Sequence, residues 1–164
     1  MKKNRIFRAI LLVMLTTLAL SAEAANRLFH ISRSLNANIV CYDANVTGGA
    51  LNTKEPIHVY WHNNCARPGE EYELTAIQRR MAFGYKVKAA SKTEATVALT
   101  AYDKRTMKIC KRDGKWVALL TINGKECILK EIYVKAKSSI SVDWIELRGT
   151  AVKGGATMTE KVKA

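Results

Sequence analysis

Residues 105–135 read RTMKICKRDGKWVALLTINGKECILKEIYVK, and this stretch decides the fold of the chain. It contains two turn dipeptides, Asp113-Gly114 and Asn123-Gly124, each flanked by runs rich in β-branched and aliphatic residues. A pair of this kind between such runs is the strongest short-range signal for a β-hairpin with a two-residue turn. The stretch therefore predicts a three-stranded meander with strands at residues 105–112, 115–122 and 125–135.

The turn geometry also constrains the two cysteines of this meander. Two-residue turns place Cys110 opposite Val117 and Cys127 opposite Leu120 on the middle strand. Val117 and Leu120 are an odd number of residues apart, so they point to opposite faces of the sheet, and so do the two cysteines. Cys110 and Cys127 also lie two strands apart, roughly 9–10 Å, which exceeds the limit of ~7 Å for a disulfide. We therefore predict that Cys110 and Cys127 do not form a bridge.

Working outward from the meander, further segments alternate with the period of two that is typical of half-buried strands. In residues 57–63, Ile57, Val59 and Trp61 alternate with His58, Tyr60 and His62. The other predicted strands are residues 28–33, 38–45, 85–89, 95–101 and 142–152. The last residues, 153–164, are expected to form a flexible C-terminal tail.

One short helix interrupts the strand pattern near Thr75–Ala82. Thr75 and Gln78 have the spacing of a capping box, in which each side chain bonds to the other residue's backbone amide. Gly84 is the expected stop of this helix.

These elements predict a mostly β fold. Residues 116–122, WVALLTI, are apolar on both faces, so this strand should be central and covered on both sides. We expect an antiparallel meander of eight or nine strands that forms a barrel or a strongly bent sheet, because closure removes exposed edges. A two-layer sandwich is the alternative.

The first residues, MKKNRIFRAILLVMLTTLALSAEAA, have the pattern of a secretory signal peptide. A positive front precedes an apolar run of about 11 to 14 residues, which is too short to span a membrane, and Ala22-Glu23-Ala24 fits a cleavage site. We expect residues 1–24 to be the signal peptide and residues 25–152 a single β-rich domain. The mature protein is then periplasmic or secreted.

The chain is strongly basic. Residues 1–24 carry four basic residues and one acidic residue, so their removal lowers the formal net charge from +13 to +10. A charge of this size attracts anionic envelope components such as acidic glycan or lipid. The lysines and arginines are scattered, however, which also fits a charge that serves only solubility. No pattern for specific nucleic-acid binding is present, and the oligomeric state stays open.

Four cysteines are disulfide candidates, because an even number in an exported protein indicates bridges. With the Cys110–Cys127 pair excluded, two arrangements remain. Two bridges link Cys41 and Cys65 to the meander, or Cys41 bonds to Cys65 and the other two thiols stay free.

The sequence contains no motif of a catalytic or metal site. No nucleotide-binding loop, nucleophile elbow or clustered Cys/His pair is present, so we expect no metal and no cofactor. His58 and His62 share a strand face but lie about 13 Å apart, too far to chelate one metal ion. The protein is therefore more plausibly a binding module than an enzyme.

A cluster of amide and aromatic residues suggests a ligand site. Such groups line many small-molecule pockets, although Asn and Asp also serve in turns and aromatics in cores. The predicted ligand-binding residues are Asn36, Asn38, Tyr42, Asp43, Tyr60 and His62.

Three segments also carry a family resemblance. They are LFHISRSLNANIVCYDAN (residues 28–45), KEPIHVYWHNN (residues 54–64) and LTAIQRRMAFGYKVK (residues 74–88). The chain resembles the bacterial family known as domain of unknown function 4833 over roughly residues 27 to 150. The resemblance implies an exported single-domain protein and supplies no activity and no catalytic residues.

Three functional hypotheses follow. The first is an exported module that binds a small ligand near one end of the barrel. The second is a cell-envelope protein whose basic surface contacts acidic glycan or lipid. The third is a hydrolase, which would require a cleft with a close histidine–carboxylate pair, such as His58 or His62 near Asp43.

Overall fold

The computed structural model describes residues 26–139 and 141–163. The predicted signal peptide, residues 1–24, lies outside the described residues. The described part of the chain is mostly β-structure, as predicted, with one short helical segment. The strands are β1 (Arg27–Arg33), β2 (Asn36–Ala44), β3 (Val46–Thr47), β4 (Ala50–Leu51), β5 (Ile57–His62), β6 (Glu71–Glu73), β7 (Tyr85–Ala90), β8 (Glu94–Leu99), β9 (Tyr102–Arg112), β10 (Lys115–Ile122), β11 (Lys125–Ala136), β12 (Val142–Ala151) and β13 (Thr157–Lys163).

The strands form one large curled sheet, a half-barrel. Its strand order is β6-β5-β2-β1-β11-β10-β9-β8-β7, while β12 pairs with β11 and β13 with β12. Strands β3 and β4 form a separate two-stranded ribbon. The prediction of a strongly bent, mainly antiparallel sheet is thereby confirmed.

The two predicted hairpins of the meander are also confirmed. Asp113, Gly114, Asn123 and Gly124 all have positive φ, between 47° and 77°, as a two-residue turn with left-handed backbone requires. Arg112 pairs with Lys115 and Ile122 with Lys125. The pairing of Cys110 with Val117 and of Cys127 with Leu120 follows, as predicted.

One pairing of the sheet is parallel, and the sequence pattern did not predict it. Residues 30–33 of β1 pair in parallel with residues 131–134 of β11, along the edge whose earlier part, residues 125–128, pairs with β10. Strand β11 therefore holds two arms of the sheet on one edge, with β1, β2, β5 and β6 in the first arm and β10, β9, β8 and β7 in the second. The two partners are about a hundred residues apart in the chain, so no turn signal marks their pairing.

The core lies between the two arms. Phe29, Tyr42 and Val59 contribute from the first arm, and Val97 and Ile109 from the second, and all five are fully buried. The rings of Tyr42 and Phe29 stack with centroids 4.4 Å apart. Alternation along each strand places these side chains inside, while the other face of the sheet carries polar residues together with a few buried apolar ones such as Val117 and Leu119.

The helical segment lies where the sequence predicts it. The α-helix α1 spans Ala76–Gln78 and continues as a π-helical turn over Arg79–Phe83. Thr75 and Gln78 form the predicted capping box. Gly84 ends the segment, but with an extended backbone (φ −73°, ψ −179°) and not with the left-handed conformation of a common helix stop.

The C-terminal residues differ from the predicted flexible tail at 153–164. Residues 157–163 form β13, which pairs antiparallel with β12 from Trp144 opposite Lys163 to Thr150 opposite Thr157. Gly154 and Gly155 both have positive φ and provide the tight connection between the two strands. Met158 and Val162 alternate with exposed residues and pack against the core, so the segment gains apolar burial that a free tail would lack.

An ion pair fixes β13 to the second arm. Arg105 Nη1 donates to Glu160 Oε2 at 2.8 Å, and the Asn123 amide donates to the same oxygen at 2.7 Å. The hydrogen bond from Arg105, together with that amide, lowers the pKa of Glu160 to about 2. Both side chains are mostly shielded from water, so removing one partner would leave the other charge poorly solvated and uncompensated.

We expect Glu160→Gln to lower the free energy of unfolding by about 2 kcal/mol at neutral pH, because a partly buried charge-assisted bond is lost. Since the folded-state pKa is depressed, this contribution exists above about pH 4.5 and declines as the pH falls toward 2. Urea unfolding of both proteins at a series of pH values measures it. A difference between the two proteins that stays constant down to pH 2 would contradict the assignment.

The four cysteines are all free, so the predicted disulfides are absent from this structure. Cys65 lies in the loop after β5, where its amide donates to the Asn38 side chain. Asn38 is three residues from Cys41 along β2, about 10 Å, which explains why Cys41 and Cys65 are not bonded. Cys127 faces the core, whereas Cys110 is half-buried on the other face of the sheet. The prediction that Cys110 and Cys127 stay unbridged is confirmed.

Candidate functional site

A cavity of about 630 Å³ opens at one end of the half-barrel, between the two arms. The end of β1, the π-helical turn, the β8–β9 connection and the β11–β12 hairpin surround it. Its volume lies within the range of about 300–1,000 Å³ that is typical of small-molecule sites. The parallel ladder between β1 and β11 ends at residue 134, and β11 continues to residue 136.

The walls of this cavity are predominantly apolar. Strands β1 and β11 contribute side chains from alternate positions, since inward-facing residues of a strand are two apart. The aliphatic and aromatic lining residues include Ile31, Phe83, Leu99, Ile132, Val134 and Ile145. Leu35, Met81 and Val142 also line it, and each of them leaves between 43% and 66% of its surface exposed. Exposed large apolar side chains gathered around one opening favour a binding surface over simple packing.

Arg33 is the charged residue set into this apolar wall. Its guanidinium carbon lies 4.6 Å from the centroid of the Trp61 ring and 5.9 Å from that of Phe83. Its Nε is buried and has no hydrogen-bond partner within the described part of the chain. Burial lowers the pKa of the Arg33 guanidinium, which nevertheless stays protonated, as arginine does in proteins. The cavity therefore presents one fixed positive charge beside apolar surface.

Three further charged residues line the cavity: Asp103, Lys104 and Lys163. All three are exposed, in contrast to Arg33. Asp103 and Lys104 follow the β8–β9 connection, and Lys163 ends β13. Solvent screens these groups, so the charge of Arg33 should act more strongly on a bound molecule.

Among the predicted ligand-binding residues, the structure joins Asp43 and Tyr60, but on the face of the sheet opposite to the core. Arg27 forms an ion pair with Asp43, and the Tyr60 hydroxyl donates to the other carboxylate oxygen at 2.9 Å. Arg27 Nη2 in turn donates to Tyr60 Oη at 2.9 Å. Burial, followed by the bond to Asp43, raises the pKa of Tyr60. The three groups satisfy one another, which is typical of a structural cluster.

The other predicted residues lie apart from this cluster. Tyr42 is in the core, where its hydroxyl donates to the Phe83 carbonyl at 2.7 Å. Asn36 accepts from the Asn38 amide in the β1–β2 turn, and Asn38 accepts from two amides of the loop after β5. His62 lies 3.7 Å from Glu71 on the neighbouring edge strand. None of the six predicted residues lines the cavity.

The hydrolase hypothesis requires a cleft that holds a histidine close to a carboxylate, and the structure places such a pair outside the cavity. His58 Nε2 lies 2.6 Å from Glu73 Oε1, but both side chains are about half exposed and stand outside the cavity. Asp43 is occupied by Arg27 and Tyr60. Burial raises the pKa of the nearby Cys41 to about 11, so this thiol is a poor nucleophile at neutral pH.

Within residues 26–139 and 141–163, no group of three or more His, Cys, Asp or Glu side chains is placed to hold a metal ion. None of the helices in the described ranges is long and apolar enough to cross a bilayer.

Sequence reasoning missed the cavity and Arg33. One local signal was available: Phe29, Ile31 and Arg33 occupy alternate positions of β1, so an apolar face continues into a charge. The opposite walls come from residues about 50, 70 and 100 positions later, and only the parallel pairing of β1 with β11 brings them together.

The fold and the cavity define a small β-rich protein with an open apolar pocket at one end of a half-barrel. The chain belongs to the DUF4833 family, a domain of unknown function, whose family model matches residues 29–161. No curated protein sequence and no solved structure matches the chain significantly.

Proposed function

We propose that this protein is an exported, non-catalytic module that binds an apolar small molecule in the cavity at the end of the half-barrel. The observation that carries the proposal is the cavity itself: about 630 Å³, open to solvent and walled by aliphatic and aromatic side chains. Ligand sites combine this kind of apolar wall with a few polar groups that fix orientation. The signal-peptide pattern of residues 1–24 supports a role outside the cytoplasm.

The polar groups on the other face of the sheet are a weaker candidate for ligand binding than the cavity. The close groups on this face, such as Arg27 with Asp43 and Tyr60, are already paired with one another. An apolar cavity, by contrast, gains free energy when a ligand displaces water, at about 25 cal/mol per Å² of apolar surface removed from water. Binding is therefore favoured at the cavity and not at the polar face.

A contact between the basic surface and acidic glycan or lipid is the second candidate function. Exposed Lys86 and Lys88 on the edge strand β7 favour it. Many arginines, however, are engaged with carboxylates of this chain, as Arg105 is with Glu160 and Arg148 with Glu131 and Glu146. The free charge is thus spread over the surface, which ranks this function below the cavity.

Ala136→Trp tests the cavity directly. Ala136 lines the opening on β11, and an indole there should occupy space that a ligand needs. With the neutral fluorescent probe N-phenylnaphthylamine, we expect saturable binding of one molecule to the wild-type protein. The variant should bind the probe at least about tenfold more weakly, equivalent to about 1.4 kcal/mol.

Lys88→Trp is the matched control, because Lys88 is exposed on β7 and remote from the cavity lining. It adds the same side chain and should leave the affinity for the probe unchanged. Thermal unfolding of all three proteins verifies that each is folded. Equal loss in both variants, or probe binding by neither variant nor wild type, would refute the proposed function.

A further inference from the structure

We propose that the ligand of this cavity is an amphipathic anion, whose acidic head group, a carboxylate or a phosphate monoester, pairs with Arg33 while its apolar body fills the cavity. This inference rests on the proposed function, since it names the class of molecule that the same cavity would take.

The environment of Arg33 carries the inference. The guanidinium is held against two aromatic rings, at 4.6 Å from the Trp61 centroid and 5.9 Å from the Phe83 centroid. Cation–π contacts of this kind position an arginine without using its N–H donors. The Nη donors therefore remain available to a ligand, while the buried Nε has no partner within the described residues.

Other partly buried arginines of the sheet show what Arg33 lacks. Arg27 pairs with Asp43, Arg105 with Glu160, and Arg148 with Glu131 and Glu146. Across residues 26–139 and 141–163, Arg33 makes no ion pair and no side-chain hydrogen bond to a protein group. A buried donor without a partner destabilises the folded state, and more so when it is charged. An anion bound to the Nη groups of Arg33 would supply the counter-charge that the described part of the chain does not provide, whereas the Nε is closed off from the cavity.

The position of Arg33 defines the form of the ligand. Arg33 lies at the end of β1, beside the exposed Leu35, while Ile31 and Ile132 lie deeper and are buried. A molecule with its head group at Arg33 can thus direct an apolar body along the aliphatic wall. Guanidinium groups bind carboxylates and phosphates through two parallel hydrogen bonds, so both head groups fit the same residue.

The charges at the opening agree with an anionic ligand. Lys104 and Lys163 line the cavity together with a single carboxylate, that of Asp103. With Arg33, the lining groups carry three positive charges and one negative charge, so the local potential favours an anion.

Three amphiphiles with the same twelve-carbon chain test the inference: dodecanoate, dodecyl phosphate and dodecanol. Their affinities are measured by displacement of N-phenylnaphthylamine from the wild-type protein. We expect at least one of the two anions to bind about tenfold or more tightly than dodecanol, and the tighter anion identifies the head group. Equal affinities for all three would overturn the inference while leaving the proposed function intact, because the neutral probe would still bind.

The variants Arg33→Met and Arg33→Lys connect this preference to the residue. Methionine keeps an apolar stem beside Trp61 and removes the charge, so the preference for the anion should disappear while dodecanol affinity changes less than about threefold. Lysine keeps the charge without the planar donor pair and should retain part of the preference. Lys88→Met is the control, and its preference for the anion should persist because Lys88 is exposed on β7 and lies outside the cavity lining.

A preference for anions that survives in Arg33→Met would overturn the assignment to Arg33. If Arg33→Met does not fold, the wild-type comparison and the Arg33→Lys variant still decide the question. If neither the amphiphiles nor the neutral probe binds, the proposed function is refuted as well. Binding of the neutral probe thus distinguishes a failure of the anion inference from a failure of the proposed function.

Discussion

Replacing Tyr42 with alanine is expected to lower the free energy of unfolding by about 4 kcal/mol. Tyr42 is fully buried, stacks on Phe29 and donates its hydroxyl proton to the carbonyl of Phe83, in the π-helical turn that connects the two arms of the sheet. Truncating a buried aromatic residue removes its apolar burial and leaves a cavity, which costs about 3–5 kcal/mol. Urea unfolding followed by tryptophan fluorescence measures the change, since the chain contains three tryptophans.

Two further variants make the test of Tyr42 specific. Tyr42→Phe keeps the ring and loses the hydrogen bond, so it should cost only about 1 kcal/mol. Tyr72→Ala removes the same kind of side chain from a position that is 42% exposed, and it should cost less than about 1 kcal/mol. If Tyr42→Ala were no more destabilising than Tyr72→Ala, the assignment of Tyr42 to the core between the arms would be wrong.

Replacing Gly84 with alanine is expected to cost about 3 kcal/mol, for a steric reason. Gly84 directly follows the π-helical turn, whose first residue is Arg79. A Cβ atom at Gly84 would lie 1.9 Å from the carbonyl oxygen of Arg79. The backbone cannot easily move away, because Gly84 is buried and its own carbonyl accepts from the Thr100 amide at 2.9 Å. Forcing an extra carbon into a filled space costs about 1–3 kcal/mol and occasionally more.

Gly69→Ala separates this steric effect from the conformational preference of glycine. Gly69 has a positive φ of 87°, and a Cβ atom there would meet no other atom within 4 Å. Alanine at this position therefore meets backbone strain alone, about 1–2 kcal/mol. Thermal or urea unfolding compares the two variants. A Gly84→Ala protein as stable as Gly69→Ala would mean that the Arg79 carbonyl can shift freely.

Because Phe83 lines the cavity, Gly84→Ala should also weaken binding of N-phenylnaphthylamine.

The candidate site shows where sequence reasoning stops. The sequence places Asp43 and Tyr60 on two strands that were expected to be neighbours. These strands, β2 and β5, do pair, and Asp43 lies opposite His58. Alternation then decided the outcome: Tyr42 turned toward the core and Asp43 toward the polar face. Whether these residues bind a ligand stays a prediction. Arg33 gained its importance only from Trp61 and Phe83, which lie 28 and 50 residues later in the chain.

The sequence by itself determined the local features of the fold, namely the two hairpins and the start of the helix. Asp113-Gly114 and Asn123-Gly124 specified two hairpins and their register, because only a few residues tolerate the positive φ that these turns require. Thr75 and Gln78 specified the start of the helix through hydrogen bonds that span three residues. In each case the interacting groups are neighbours in the chain.

The tertiary structure alone decided the parallel pairing of β1 with β11, and with it the division of the sheet into two arms and the cavity between them. It also decided the placement of residues 157–163, which pair with β12 and bring Glu160 into contact with Arg105. These contacts join segments that are distant in the chain, and they form because apolar burial and charge pairing stabilise the whole assembly. A period of two identifies a strand, but it carries no information about which distant edge that strand will join.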